Sequence, residues 1–283
     1  ANGKPLDGIR VLALEQMQAL PYATQLLGRL GAEVVKIESV NGGDMGRSSQ
    51  PSMTDPDGRQ VGATFLRNNL SKRSICIDLK SDEGRQLVLE LAPRFDVVAE
   101  NFKAGGLARL GLGYDDIAAV HPGVVYLSVS GFGNTTDSPY KDRPAFAAIV
   151  EAMSGIYDYQ ARNDKAPQAS PVGALGDISA ALFGAIGVLA ALRQKDRTGE
   201  GQYVDVAMLD ALIAMTDIVA MVEGVGQMFI TGPDVIRSVH DAYLAAGAVV
   251  FLELGSDRWK HTQGHLVQNC PQVEACTWGH QRL

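Results

Sequence analysis

The stretch Ile9-Arg-Val-Leu-Ala-Leu14, followed by Pro21-Tyr-Ala-Thr-Gln-Leu-Leu-Gly-Arg-Leu30 and then by Val34-Val-Lys-Ile37, reads as strand, helix, strand. The first and third runs are short, β-branched and Leu-rich, whereas the middle one carries apolar residues at helical spacing until Gly31 stops it. The pattern recurs. Strands are expected at Ile75 to Leu79, Val97 to Ala99 and Val124 to Val129, with helical stretches at Glu83 to Leu91 and Ala145 to Met153. Repeated strand–helix units predict an α/β fold, a doubly wound and mostly parallel sheet. Between Gly42 and Gly62, Gly, Ser, Pro and Asp crowd together without periodicity, which predicts a surface loop. Further on, Ile178 to Leu192 is an apolar helix, Arg193 to Gly201 a charged turn, Tyr203 to Val206 a strand, and Leu209 to about Val222 another helix.

The 283 residues are enough for a substantial core, and 46% hydrophobic against 20% charged residues excludes a disordered chain. A formal charge of −7 gives no global attraction to phosphate backbones, so nucleic acid is not expected as a partner. Cys76, Cys270 and Cys276 are too few and too unevenly placed for a disulfide framework, which points to a reducing cytoplasm. The N-terminal residues lack a basic region followed by an apolar run, so no signal peptide is indicated. The longest uncharged run, Ile178 to Leu192, is fifteen residues, short of the ~20 needed to span a membrane, and reads as a buried core helix. After about Gly226 the composition shifts: the last 58 residues hold both tryptophans, four of the five histidines and two of the three cysteines. That shift predicts a boundary, with one domain over 1–225 and a divergent tail over 226–283.

No Gly-x-Gly-x-x-Gly follows the first strand, and neither a Walker lysine motif nor a Gly-x-Ser-x-Gly elbow occurs. Asp177, between a Gly-containing turn and the apolar helix, has two compatible readings. It is an N-cap for the free N–H groups of the first turn, or a covalent nucleophile held by the same groups. Glu100-Asn101-Phe102 and Arg109 follow a strand end, where open α/β sheets bind ligands. There Asn101 would bond a ligand amide, Phe102 stack on a ring and Arg109 meet a phosphate, unless this is an ordinary strand-to-helix loop. Lys72 and Arg73, placed just before a strand, carry the same ambiguity.

Taken in order, the motifs resemble the family III CoA-transferases, the formyl-CoA transferase and carnitine CoA-transferase type. The blocks are Leu6-Asp-Gly-Ile-Arg-Val-Leu12, Leu30 to Glu38, Gly43-Asp44, Asn69 to Ser74, Ile77-Asp-Leu-Lys80, Glu100-Asn-Phe102, Arg109-Leu-Gly-Leu112, Ser128 to Gly133, Asp142-Arg-Pro144, Gly176-Asp177 and Gly199 to Asp205. Their shared order over about residues 5–222 makes the resemblance specific. It implies a Rossmann-like domain of a chain that interlocks with its twin as a homodimer. It also implies an acyl-CoA:carboxylate CoA-transferase, with coenzyme A thioesters and carboxylic acids as substrates and no metal or redox cofactor. By the same resemblance Asp177 attacks the thioester to form an acyl-aspartyl anhydride and then an aspartyl-CoA thioester. Gln18 lies near the reacting acyl group, and Asn101, Phe102 and Arg109 contact CoA. Ser39 stands where some members carry a CoA-binding arginine.

The related α-methylacyl-CoA racemases resemble the early blocks as well. Proton exchange at carbon needs two bases, and the Gly-His-Asp that supplies the histidine is Ala145-Phe146-Ala147 here, which favours transfer over racemisation. The resemblance is expected to end after about residue 222. Met228 to Val239 looks like a short piece of the carboxyltransferase subunits of acyl-CoA carboxylases. In the tail, His261 and His265 with Cys270 and Cys276 do not form a recognised metal-ligand spacing. A truncated or divergent end leaves a second functional reading open, a CoA-binding or dimerisation module without turnover.

Overall fold

A computed structural model describes residues 3–135, 138–157, 171–216 and 252–253. Its main sheet has the order β5-β2-β1-β6-β7-β8-β9, formed by β1 (Arg10–Leu14), β2 (Glu33–Glu38), β5 (Lys72–Cys76), β6 (Val97–Glu100), β7 (Val125–Ser130), β8 (Gln202–Ala207) and the two-residue β9 (Leu252–Glu253). Only the β8–β9 pair is antiparallel. The α/β, mostly parallel sheet expected from the sequence is therefore present. Side-chain alternation splits the core into two layers, as it must when both faces of a parallel sheet are covered. Val11, Ala13, Val97, Ala99, Leu127 and Val129 face one layer, while Leu12, Leu14, Val98 and Tyr126 face the other.

The helices are α1 (Ala19–Arg29), α2 (Ala63–Asn68), α3 (Asp82–Leu91), α4 (Tyr114–Val120), α5 (Ala147–Met153), α6 (Leu175–Thr198) and α7 (Met208–Met215). Ser81 caps α3, its Oγ accepting from Gly84 N at 3.0 Å, which starts that helix at the expected place. Three expectations need correction. The charged run from Arg193 is the end of α6 rather than a turn, because no helix breaker occurs before Gly199. That glycine takes a φ of +75° and donates to Lys195 O at 2.8 Å. The segment 42–62 holds a 3-10 turn (Met45–Ser48) and a hairpin of β3 (Ser52–Thr54) and β4 (Gln60–Gly62), with Asp44 buried beneath it. The strand expected at Ile75 to Leu79 is β5 at Lys72–Cys76, so Lys72 and Arg73 belong to an edge strand paired with β2.

At 24 residues α6 is long and apolar enough to cross a membrane, but it contributes Ala180, Ala181, Val188 and Ala191 to the core over the sheet. The composition boundary near residue 226, the tail histidines and cysteines, and the end of the helix expected to reach Val222 lie outside the described residues.

The chain moves outward from β1 to β2 and β5, then returns to β6, β7 and β8 on the other side. The connection thus reverses between β1 and β6, and the crevice beyond their carboxyl ends is where such sheets hold ligands.

Candidate active site

That crevice is a cleft of about 580 Å³. The turn after β1 contributes Gln16, Met17 and Gln18, the loop after β6 contributes Asn101 and Phe102, and the first turn of α6 contributes Asp177. Three sequence segments expected to act together therefore meet. Arg109, Lys72 and Arg73 do not line the cleft. Arg109 is exposed on the 3-10 turn Ala108–Leu110, with Nη1 3.5 Å from Ala104 O. Arg73 pairs with Glu33 at 2.7 Å on the outer edge of the sheet. The Lys72 ammonium is turned inward, 2.6 Å from Glu15 Oε1 and 2.8 Å from Pro21 O. Burial lowers its pKa to about 8 against the pull of Glu15. Ser39 is exposed and accepts from Asn41 N at 3.1 Å.

Asp177 is not the N-cap of α6. The cap is Ala174 without a side-chain bond, and Asp177 is the third helical residue. Its carboxylate has no hydrogen-bond partner among the described residues. Burial, reinforced by the charge of Glu151, raises its pKa to about 6. Glu151 on α5 is 3% exposed and accepts from Gly176 N at 3.1 Å and from the Tyr157 hydroxyl at 2.7 Å. A Cβ at position 176 would lie 2.5 Å from Val150 Cγ2, so glycine there permits the close α5–α6 approach that brings Glu151 to the helix start.

The β1 turn is held in an uncommon conformation, Met17 having φ +64°. Two side chains hold it. Asn101 Oδ1 accepts from Gln16 N at 3.0 Å while its Nδ2 donates to Gln16 O at 2.9 Å, so the amide expected to meet a ligand braces backbone first. Asp44 accepts from Met17 N at 2.9 Å, Gly46 N at 2.7 Å and Lys36 Nζ at 2.6 Å. Lys36 also lies 3.5 Å from Glu15, and all three of these side chains are essentially inaccessible. Burial would push Glu38, the next acid along β2, upward. Hydrogen bonds from Arg47, Ser74 and the Asp44 amide outweigh that and hold it at about 2. Gln18 Nε2 is buried in this turn without a partner among the described residues.

On the β6 side, Glu100 accepts from Phe102 N at 2.7 Å and from the Ser128 hydroxyl, fixing the start of the Asn101–Ala104 loop. Its pKa rises to about 7, chiefly by burial and with a smaller push from Asp205, against those hydrogen bonds.

Sequence reading missed Glu151 and the burial of Asp44. The signal for the first is a single acid inside the apolar helix Ala147-Ala-Ile-Val-Glu-Ala-Met153; Gly43-Asp44 was visible as a motif but sits in a segment that reads as surface loop.

A succinyl-CoA:mesaconate CoA-transferase of Haloarcula hispanica is 41% identical over 214 residues, 75% of this chain and 54% of its own length. A succinate–glutarate CoA-transferase of Agrobacterium fabrum is 36% identical over 258 residues, covering 89% and 64% of the two chains. The crystal structure of a CAIB/BAIF family protein from Brucella suis superposes with a TM-score of 0.72 at 38% identity, over 78% of this chain and 57% of that one. The chain spans about half the length of the curated relatives it matches. The family model for CoA-transferase family III matches residues 6–267, running past the last motif block near residue 222 into the compositionally distinct tail. With that match over nearly the whole chain and a relative 41% identical over 75% of it, the chain belongs to CoA-transferase family III.

Proposed function

We propose that the chain performs acyl-CoA:carboxylate CoA transfer through covalent intermediates on Asp177. The observation that carries this reading is the Asp177 carboxylate, without a hydrogen-bond partner among the described residues and lining the same cleft as Gln18 and Phe102. A carboxylate that no protein donor stabilises is a stronger nucleophile once the ligand has displaced water from the cleft. Asp177 attacks the thioester carbonyl and the C–S bond breaks, giving a mixed anhydride and CoA thiolate. The thiolate then attacks the Asp177 acyl carbon, releasing the donor acid and leaving an aspartyl-CoA thioester. The acceptor carboxylate attacks that thioester, and the returning thiolate takes the new acyl group and frees Asp177. Gln18 lines the cleft, and its Nε2, which has no partner among the described residues, turns toward the ligand to donate to the oxygen that gains charge in these steps. Phe102 packs against the ligand at the loop after β6, and Arg109, exposed beside that loop, meets a CoA phosphate.

The relatives reported above act on succinate or its thioester with a second dicarboxylic acid. The same substrate class is proposed here, because Arg143 lines the cleft and forms no ion pair among the described residues. Homodimerisation belongs to this reading too, supported by Phe146, Ile149, Leu182 and Ile186, which α5 and α6 leave exposed.

Incubation with succinyl-CoA and hydroxylamine tests the reading. The expected outcome is a hydroxamate at Asp177, located by peptide mass spectrometry and absent in Asp177→Asn. Labelling of the variant at the parent's rate would overturn the nucleophile. CoA binding by the parent without any labelling would instead favour a binding module without turnover.

A further inference from the structure

Glu151 is a buried acid for which the transfer scheme has no use. It shares the cleft with Asp177, yet its carboxylate is turned to protein donors, Gly176 N and the Tyr157 hydroxyl. Gly176 immediately precedes Asp177, and its N–H is one of the free donors that every helix presents at its start. With Glu151 holding that donor, a second negative charge stands beside Asp177. The other charged groups lining the cleft are Lys103, from the loop after β6, and Arg143, from the segment before α5; neither forms an ion pair with either acid among the described residues. Tyr157 is the remaining titratable group there. Its hydrogen bond to Glu151 raises its pKa to about 12, so the phenol stays protonated and donating.

We infer that Glu151 is a positioning residue that primes Asp177: through Gly176 it fixes the first turn of α6, and its charge disfavours the free Asp177 carboxylate. This rests on the reading of Asp177 as nucleophile. In the first step the negative charge leaves Asp177 and appears on the CoA sulfur as the C–S bond breaks. Anhydride formation therefore removes the repulsion between the two acids, and Glu151 favours the acylated enzyme over the resting one. An acid in this place would favour acylation without touching the substrate.

Glu151→Gln tests this, because the amide keeps an acceptor for Gly176 N and the side-chain volume while losing the charge. Two measurements are needed. The Asp177 carboxyl resonance, assigned by its absence in Asp177→Asn, is expected to titrate at lower pH in Glu151→Gln than in the parent. The single-turnover rate of Asp177 acylation is expected to fall about three- to tenfold at pH 8, with its acidic limb moved to lower pH and the KM for the acyl-CoA unchanged. An unchanged Asp177 titration, or an unchanged acylation rate and profile, would overturn the inference, as would a loss confined to KM. Absence of acylation in the parent would overturn the nucleophile reading instead, and the titration would still report whether Glu151 acts on Asp177. Glu151→Ala, checked for folding by circular dichroism, should lose the Gly176 contact as well and acylate more slowly than Glu151→Gln; equal rates would refute the backbone part of the role.

Discussion

Replacing Asp44 by alanine should destabilise the protein by about 3 kcal/mol. The carboxylate is 3% exposed and satisfies three donors: Lys36 Nζ at 2.6 Å, Met17 N at 2.9 Å and Gly46 N at 2.7 Å. Breaking a buried ion pair by removing one partner costs about 3–5 kcal/mol, because the other charge is left uncompensated. The buried Gly46 amide and the part-buried Met17 amide, losing their acceptor, add about 1–3 kcal/mol each at most, when nothing replaces it. Two features pull the total toward the low end. Lys36 keeps Asn69 Oδ1 at 3.1 Å and Glu15 at 3.5 Å, and the space left by the side chain can admit water to the freed amides. Glu15 cannot compensate fully, since it already holds Lys72 at 2.6 Å and accepts from Thr24 at 2.6 Å. Urea denaturation followed by far-UV circular dichroism would show the effect as a midpoint lowered by roughly 1 M, for a slope of about 3 kcal/mol per molar. Lys36→Met in the Asp44→Ala background should recover part of the loss, because no charge is then stranded. A midpoint within about 0.2 M of the parent, or a double variant less stable than the sum of the singles, would refute the claim that this pair holds the β1 turn.

The raised pKa of Glu100, about 7 against an ordinary 4.5, makes the folded state bind that proton more tightly than the unfolded state does. Stability from this group is therefore greatest below pH 4.5 and declines as pH rises to 7, by up to about 3 kcal/mol. Glu100→Gln should remove the Glu100 share of that decline and leave the slope of the same sign that Asp177 and Asp210 contribute, both raised to about 6. Parallel stability profiles for parent and variant would refute it. Arg109→Ala should weaken CoA by roughly 1.5–3 kcal/mol in isothermal titration, the scale of a hydrogen bond between charged groups. The loss should be smaller for dephospho-CoA if the contact is the 3′-phosphate, and unchanged affinity for both ligands would remove Arg109 from the site.

The strand–helix alternation was legible because parallel strands covered on both faces must be apolar throughout, and a run such as Val97 to Ala99 has no other economical use. The motif blocks likewise placed Gln18, Phe102 and Asp177 on segments that meet at the reversal between β1 and β6. Boundaries were less legible. The charged end of α6 resembles a turn in composition, yet Arg, Gln and Lys are good helix formers, and only Gly199 ends the helix.

What residue order could not reveal was the fate of individual charges. Lys72 looks like a ligand-binding cation beside a strand, but across 57 residues it meets Glu15 and is buried. Asp44 looks like a loop residue and is a buried anchor, while Glu151, 25 residues before Gly176, is the neighbour that conditions Asp177. Hydrophobic periodicity is a local property, repeated along the chain and therefore readable from it. Whether a charged group is solvated, paired or left beside its like depends on which distant residue the fold packs against it. Burial multiplies the energy of that encounter, and no composition or spacing specifies it.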